Sequence, residues 1–333
     1  MALAASEQTD LYPLYRDLLT SLELPAGQQI VVALGGGADS QSVLDLTLRF
    51  QQEFPDFRYL AIHLDHYFHP DSPAWAEFLR EYCQRVGIEH IVEPLAVPTG
   101  KRLSKEEQGR LARYRRMAEL TATDAVILLG QHRTDQVETL LLQLKRGAGP
   151  KGLAGMQQIS EFVEQRRLVR PLLNVTKEKI YQYARAHGVE WIEDDTNHDT
   201  RIERNFFRHV IIPQIEERFP SFQQTAARSA AFCGEQTELF EQMLTDKLKD
   251  YLSAEGWLEL RDWWQWDAKL QRALLRTWLA SYAVTLPSAA ILHELQTQIQ
   301  RSQLGKQVRV RWGQVEVYRQ QKWLKLKQNY PPS

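Results

Sequence analysis

The chain has 333 residues, 43% of them hydrophobic and 25% charged, with a formal net charge of −1; this excludes wholesale disorder and leaves room for two domains. Its two cysteines, Cys83 and Cys233, provide neither a disulfide framework nor a zinc-ligand cluster. No uninterrupted apolar run approaches the roughly 18–20 residues of a membrane span, so a soluble, cytoplasmic protein is expected.

The opening "MALAASEQTD" has no basic residue and no long apolar core, and is not expected to be a secretory signal. The runs 28–34, "YLAIHL" (59–64), "IEHIVEPL" (88–95) and "AVILLG" (125–130) read as strands. Helical patterns alternate with them at 40–50, 72–86, 105–120 and 134–145. Continuous apolar strands separated by helices predict an open parallel α/β sheet covered on both faces, with ligands at the carboxyl ends of the strands. The pattern loosens in the Gly-rich stretch 145–156. Beyond Pro213 the chain turns rich in Ala, Leu and Gln, and 221–252 and 267–282 read as helices. A boundary near 218–222 therefore divides a sheet domain, 1–218, from a smaller, mainly helical domain, 219–333. The latter ends in "QVRVRW", "VEVYR" and "KWLKLK", which predict an antiparallel β unit with Arg309 and Arg311 opposite Val308, Val310 and Trp312. The cluster "DWWQWD" (Trp263, Trp264, Trp266) reads as core of that domain.

The stretch "VALGGGADSQSV" (32–43) places three glycines between a strand and a helix. It lacks the Gly-Lys-Ser/Thr of a Walker A loop and the third glycine of a dinucleotide fingerprint. Bare backbone N–H groups at the positive end of a helix dipole form an anion site. Ser40 adds a hydroxyl, and Asp39 tolerates phosphates if Mg²⁺ lies between them. The plainer reading is a tight turn capped by Asp39 or Ser40. In "RTDQVET", Asp135 and Glu138 are three apart and share one side of a helix. They read either as acids near a helix N-terminus or as ligands for Mg²⁺ or another cation. Seven Lys/Arg stand against two acids between Lys101 and Arg116, and eight against Glu316 alone between Arg301 and Ser333. The first cluster, with Arg110 and Arg113, reads as a solvated helix face or as a source of charge for a nucleotide. The second, with Arg309 and Arg311, is a candidate for nucleic-acid phosphates.

"GGGADS" resembles the S-G-G-x-D-S loop of the N-type ATP pyrophosphatases, the PP-loop family. Together with "HLDH" (63–66), "RLARYR" (110–115), the segment 130–156, "RPLL" (170–173), "WIEDDTN" (191–197) and "RNFFR" (204–208), it resembles the tRNA(Ile)-lysidine synthetases within that family over about the first 215 residues. The resemblance implies a ligase that adenylates the C2 oxygen of the wobble cytidine in the CAU anticodon of an isoleucine tRNA. Free L-lysine then displaces AMP. It implies ATP at Gly35, Gly36, Gly37, Ala38, Asp39, Ser40 and His63, with Mg²⁺ at Asp39. Asp39, Arg113, Asp135 and Glu138 are the implied catalytic residues, and His66, Asp135, Glu138 and Arg204 the implied lysine and substrate contacts. Taken alone, Arg204, Asn205 and Arg208 read as surface residues. A homodimer is left open.

Three departures from the family pattern stand out: Gly35 replaces a serine, Thr134 an acid, and Gly109 an alanine. The additional C-terminal domain of longer members is not expected within residues 1–333. Two competing readings are a sulfur-inserting tRNA enzyme of the same loop class and a tRNA-binding protein whose ATPase has decayed. The two cysteines, 150 positions apart and remote from the loop, argue against the first. Retention of Asp39, Ser40, Asp135 and Glu138 argues against the second.

Overall fold

The computed structural model describes residues 10–65, 69–97, 105–193, 199–282, 284–302 and 307–328. Residues 1–234 and 235–333 form two compact units.

In the first unit, helix α1 (Tyr12–Thr20) precedes β1 (Gln29–Leu34), α2 (Ala38–Glu53), β2 (Arg58–Asp65), α3 (Ser72–Val86) and β3 (His90–Pro94). Helix α4 (Lys105–Leu120), β4 (Val126–Leu128), α5 (Arg133–Lys145) and a one-turn α6 (Pro150–Leu153) follow. Then come β5 (Ile159–Glu161), β6 (Arg167–Val169), α7 (Lys177–Ala186), α8 (Glu203–Phe206), a π-helical turn at Phe207–Ile211 and α9 (Ile212–Arg218). Helix α10 (Phe222–Lys249) begins where the composition changes, and the division between units falls within it.

The six strands lie in the order β3-β2-β1-β4-β6-β5. All neighbours are parallel except β5, which runs antiparallel to β6 at the edge. The predicted strands are present. β5 and β6 were not expected, because three-residue strands carrying Ser, Glu and Arg leave no apolar run to read.

Alternate side chains of each strand serve opposite faces. Ile30, Val32 and Leu34 enter one apolar cluster with Tyr15 of α1, Leu44 of α2, Leu79 of α3 and Ile180 of α7. Val31, Leu60, Ile62 and Leu64 enter the other, with Met117 of α4. Full burial contributes about 1.5–3 kcal/mol per large apolar side chain, so each face is covered strongly enough to fix the register of the strands. From β1 the chain crosses to β2 on one side, while β4 lies on the other. The crevice at their carboxyl ends is the topological switch point of the sheet.

The second unit contains β7 (Leu258–Glu259), α11 (Ala268–Ala280), α12 (Ala289–Ser302), β8 (Arg309–Trp312), β9 (Val315–Gln320) and β10 (Trp323–Gln328). Its antiparallel sheet has the order β7-β10-β9-β8. Trp263, Trp278, Leu295, Val310, Val317 and Leu324 form its core, with Trp264 and Trp266 packed against them, as the reading of "DWWQWD" anticipates. Among the described residues, no helix is long and apolar enough to cross a membrane.

Candidate active site

The loop after β1 is shaped by two unlike glycines. Gly36 has φ +88°, and its carbonyl accepts a hydrogen bond from the Ile192 N–H at 2.9 Å. A Cβ on Gly36 would lie 3.0 Å from Ile192 Cδ1. Gly35 has no positive φ, and a Cβ there would meet only Ser40 Oγ, at 3.8 Å. Conformational freedom is thus needed at Gly36, and the departure from serine at Gly35 strains nothing. Gly37 occupies the N-cap position of α2 in extended conformation.

Neither Asp39 nor Ser40 caps this helix. The Ser40 hydroxyl accepts from the Gly35 N–H and donates to the Gly37 carbonyl, each at 3.1 Å. Its first task is therefore to close the loop rather than to offer a spare donor. The anion-binding capacity resides in the first-turn N–H groups of α2, which have no intrahelical partner. Gly130, immediately after β4, presses on the same turn: a Cβ there would lie 2.9 Å from the Ser40 nitrogen.

Across the crevice, α5 starts with a capping box. The His132 N–H donates to Asp135 Oδ2 at 3.0 Å, and the Thr134 N–H donates to His132 Nδ1 at 3.2 Å. With Nδ1 an acceptor, the proton of the neutral ring resides on Nε2. That atom lies 3.5 Å from both Asp39 Oδ2 and Asp135 Oδ2. His132, only 1% exposed, thus joins the glycine loop to the acidic helix.

Glu138 is fully buried and accepts from Arg204 Nε at 2.8 Å and Arg208 Nε at 2.5 Å. Arg208 Nη2 also reaches Asp135 Oδ1 at 2.9 Å. Arg208 projects from the π turn, a feature that often marks functional sites. The isolated reading of these residues as surface is corrected here: the Arg208 side chain is 15% exposed, and Asn205 is buried with its amide donating to the Asp199 carbonyl.

The two neighbouring aspartates are driven in opposite directions. Burial raises the Asp39 carboxyl above its ordinary value, with the Asp135 charge adding to it. At Asp135 burial also disfavours the anion, but His132, whose Nε2 faces the carboxylate, and the guanidiniums of Arg208 and Arg204 prevail and lower it. Glu138 is raised by burial against the pull of Arg208.

Asp39, Asp135 and Arg204 border a cavity of about 840 Å³, with Glu138, Arg208 and His132 behind its wall. Gly35, Gly37, Asp39 and Ser40 line one part of it, Asp135 and Arg204 another, and Arg110 and Arg113 of α4 a third. His63 stands apart. Its Nδ1 donates to the Leu34 carbonyl at 3.0 Å, on the face of β2 opposite the cavity-lining Ile62 and Leu64. Its buried Nε2 has no hydrogen-bond partner among the described residues, and burial holds the ring below its ordinary pKa. His66 lies outside the described residues, as does part of "WIEDDTN" (194–197). Arg309 and Arg311 belong to the second unit, where both guanidiniums approach Glu316 Oε1, at 3.2 and 3.1 Å.

His132 and Gly130 were not singled out by the sequence reading, and Arg208 was read only as a surface residue. Histidine is not among the favoured N-cap residues, and the roles of the other two arise from packing between distant segments. Arg204 and Arg208 are spaced i,i+4, the only local sign of a paired function.

The PP-loop domain family matches residues 9–215, and the TilS substrate binding domain family matches residues 258–324. A tRNA(Ile)-lysidine synthase of Idiomarina loihiensis is 50% identical over 90% of this chain and 67% of its own length. Proteins of the same name from Vibrio cholerae and Escherichia coli O157:H7 are each 36% identical over 94% of this chain and 71% of their own. Among solved structures, the U34-tRNA thiolase NcsA from Methanococcus maripaludis superimposes with a TM-score of 0.54 at 15% identity, covering 66% of this chain and 77% of that one, a likeness of fold alone.

Two outcomes follow from this geometry. Gly35→Ser should leave ATP affinity within about threefold, since the position needs no positive φ. Gly36→Ser should cost about 1–3 kcal/mol in backbone strain and weaken ATP binding by tenfold or more, by roughly the same conversion; equilibrium dialysis with ATP measures both. At His132, asparagine preserves the cap and removes the Nε2 proton, whereas alanine removes both. The alanine variant should lose about 0.5–2 kcal/mol of stability and the asparagine variant little. Both should lose turnover, by roughly 10–100-fold if the ring orients the two carboxylates. Full turnover in His132→Asn would show that the ring is only a cap.

Proposed function

The chain belongs to the tRNA(Ile)-lysidine synthase family, and from that premise we propose that it ligates free L-lysine to C2 of the wobble cytidine in the CAU anticodon of an isoleucine tRNA, consuming ATP. The observation that carries this reading is the meeting of two different sites in one cavity at the switch point: an anion-binding glycine loop and a carboxylate–arginine cluster.

In the first step the cytidine O2 attacks the α-phosphorus of ATP. The O2–P bond forms as the bond to the bridging oxygen breaks, and pyrophosphate leaves. The N–H groups at the start of α2 favour that leaving group. Arg113 on the cavity wall offsets charge developing at the α-phosphate. In the second step the lysine side-chain amine attacks C2, the C2–O2 bond breaks with loss of AMP, and the amine gives up a proton. Asp135, with its carboxyl lowered by its neighbours, remains an anion beside the attacking amine. Arg204 presents a cation to an anionic group of a substrate, while Glu138 anchors Arg204 and Arg208.

Asp39 Oδ1 is buried without a hydrogen-bond partner among the described residues, which suits one ligand to Mg²⁺, an ion that takes one or two carboxylates plus phosphate oxygens and water. Bound there, Mg²⁺ would screen the triphosphate from the Asp39 carboxylate. A tRNA substrate makes the cytoplasm the place of reaction.

The sulfur-inserting alternative gains no support from the thiols. Cys83 is buried on α3 with its pKa pushed up to about 11 by burial, far from the thiolate such chemistry needs. Neither it nor Cys233 borders the cavity.

The decisive experiment supplies a CAU-anticodon tRNA, ATP, Mg²⁺ and lysine, and follows nucleosides by mass spectrometry. Lysidine should form with AMP and pyrophosphate, and sustained AMP release should require both tRNA and lysine. ADP and phosphate as the main products would overturn the assignment.

In the second unit, Arg309 and Arg311 project from β8 with side chains 61% and 63% exposed. They share the buried Glu316 carboxylate, leaving net positive charge for tRNA phosphates. Replacing both with glutamine should weaken tRNA binding and reduce the log–log salt slope by roughly 0.7–0.9 per lost contact, with ATP affinity unchanged. Glu316→Gln, which frees both arginines, controls for loss of the ion pairs. An unchanged slope in the double variant would assign these arginines to a solvated face.

A further inference from the structure

Helix α3 carries its core-facing side chains on one stripe, with Leu79, Tyr82 and Cys83 buried and Phe78 and Val86 packed beside them. Trp75 extends that stripe by one turn, four positions before Leu79. At this end the apolar clusters on the two faces of the sheet close without it. Trp75 instead remains partly exposed and borders the cavity, whose lining also includes Leu64 of β2 and Arg113 and Tyr114 of α4.

One face of the indole is already covered. The His69 ring stacks on it with centroids 4.5 Å apart and planes 14° from parallel. His69 is itself held by the Asp71 N–H, which donates to Nδ1 at 3.0 Å. The result is a preset two-ring stack at the margin of a cavity that Arg110 and Arg113 also line. An apolar wall would be served equally well by leucine. A large planar ring, with one face backed by a fixed second ring, is suited to a flat aromatic ligand, and guanidiniums nearby favour one that carries phosphates.

We propose that Trp75 is a stacking platform for a nucleobase, extending the His69–Trp75 pair by a third ring. This rests on the nucleotide and tRNA reading above and names a specificity contact within it. Two nucleobases enter the reaction: the adenine of ATP and a base of the unpaired anticodon loop. Single-stranded RNA is commonly held by stacking of this kind. The two sources share the chemistry of the contact and differ in what the substitution weakens.

The test compares Trp75→Phe and Trp75→Leu with the parent. Dissociation constants are measured for ATP with Mg²⁺ and, separately, for a 17-nucleotide stem-loop bearing the CAU anticodon. Trp75→Leu should weaken one of the two by about 5- to 100-fold, the range expected for loss of one base stack. Trp75→Phe should recover most of the loss, while lysine binding and the unfolding temperature stay near those of the parent. Weakened ATP binding would assign the stack to adenine; weakened stem-loop binding alone would assign it to an anticodon base. The proposal is overturned if Trp75→Leu binds both probes as the parent does, or if phenylalanine is no better than leucine. Both constants are read without turnover, so a parent that forms no lysidine would refute the ligase reading and still leave the stacking contact decided.

Discussion

A carboxylate with no solvent exposure cannot remain ionised in a protein interior unless cations and hydrogen-bond donors replace the water it has lost. Glu138 meets that requirement through Arg204 and Arg208, and Arg208 meets it again for Asp135. The rest of the cavity depends on this arrangement. Glu138 and Asp135 are fixed to α5 by sequence, so the arginines must be delivered to them, and α8 with its π turn does so from more than sixty residues further on. The widened turn allows Arg208 to address both carboxylates while Arg204, one turn earlier, addresses Glu138 and Thr139. Such a network contributes little net stability compared with apolar packing, and breaking it from one side is costly. Its value lies in holding Asp135 at one position with one charge.

On the opposite wall the constraint is steric. The end of β4 and the first turn of α2 approach so closely that Gly130 has no room for a side chain, and Gly36 needs both a positive φ and the space beside Ile192. These contacts aim the N–H groups of α2 into the crevice without any side chain between backbone and ligand. Ser40 completes the loop from within. This explains how a chain with glycine in place of the family's first serine retains the shape of the loop: the hydroxyl that closes the turn comes from position 40. His132 then couples the two walls, with one ring nitrogen committed to its own helix and the other facing a carboxylate from each side.

The alternation of apolar runs with helical periods made the central sheet legible, because strands buried on both faces must be apolar along their length. β5, β6 and β7 escaped notice, having two or three residues each and polar members among them. Asp135 and Glu138 were legible as a pair because three residues make a helical turn. Their cations were not, since nothing local to Arg208 announces that its partners lie on α5. His63 marks another limit. Its place at the end of β2 was clear, but the parity of the strand turns its ring to the face opposite Ile62 and Leu64 and onto the Leu34 carbonyl. For a histidine in a strand, the side of the sheet matters as much as the position along it.

The same parity organises the second unit. Val308, just before β8, and Val310 on it enter the core while Arg309 and Arg311 face outward, and the pairing of β9 with its neighbours sets Glu316 between Arg311 and Lys327 and Tyr318 between Arg309 and Lys325. One buried carboxylate thus sits between cations of the two flanking strands. Glu316 lies directly across from both Arg311 and Lys327, and opposite charges so placed favour the pairing. With it, the arginines are held in register at modest cost and still present excess positive charge. Specificity for one anticodon cannot come from such a surface, because contacts to the phosphate backbone are the same for every sequence. It must come from groups that meet base edges or base faces. In the first unit the candidates for that role are the side chains of the cavity, where the apolar core stops and aromatic, cationic and acidic residues take over its walls.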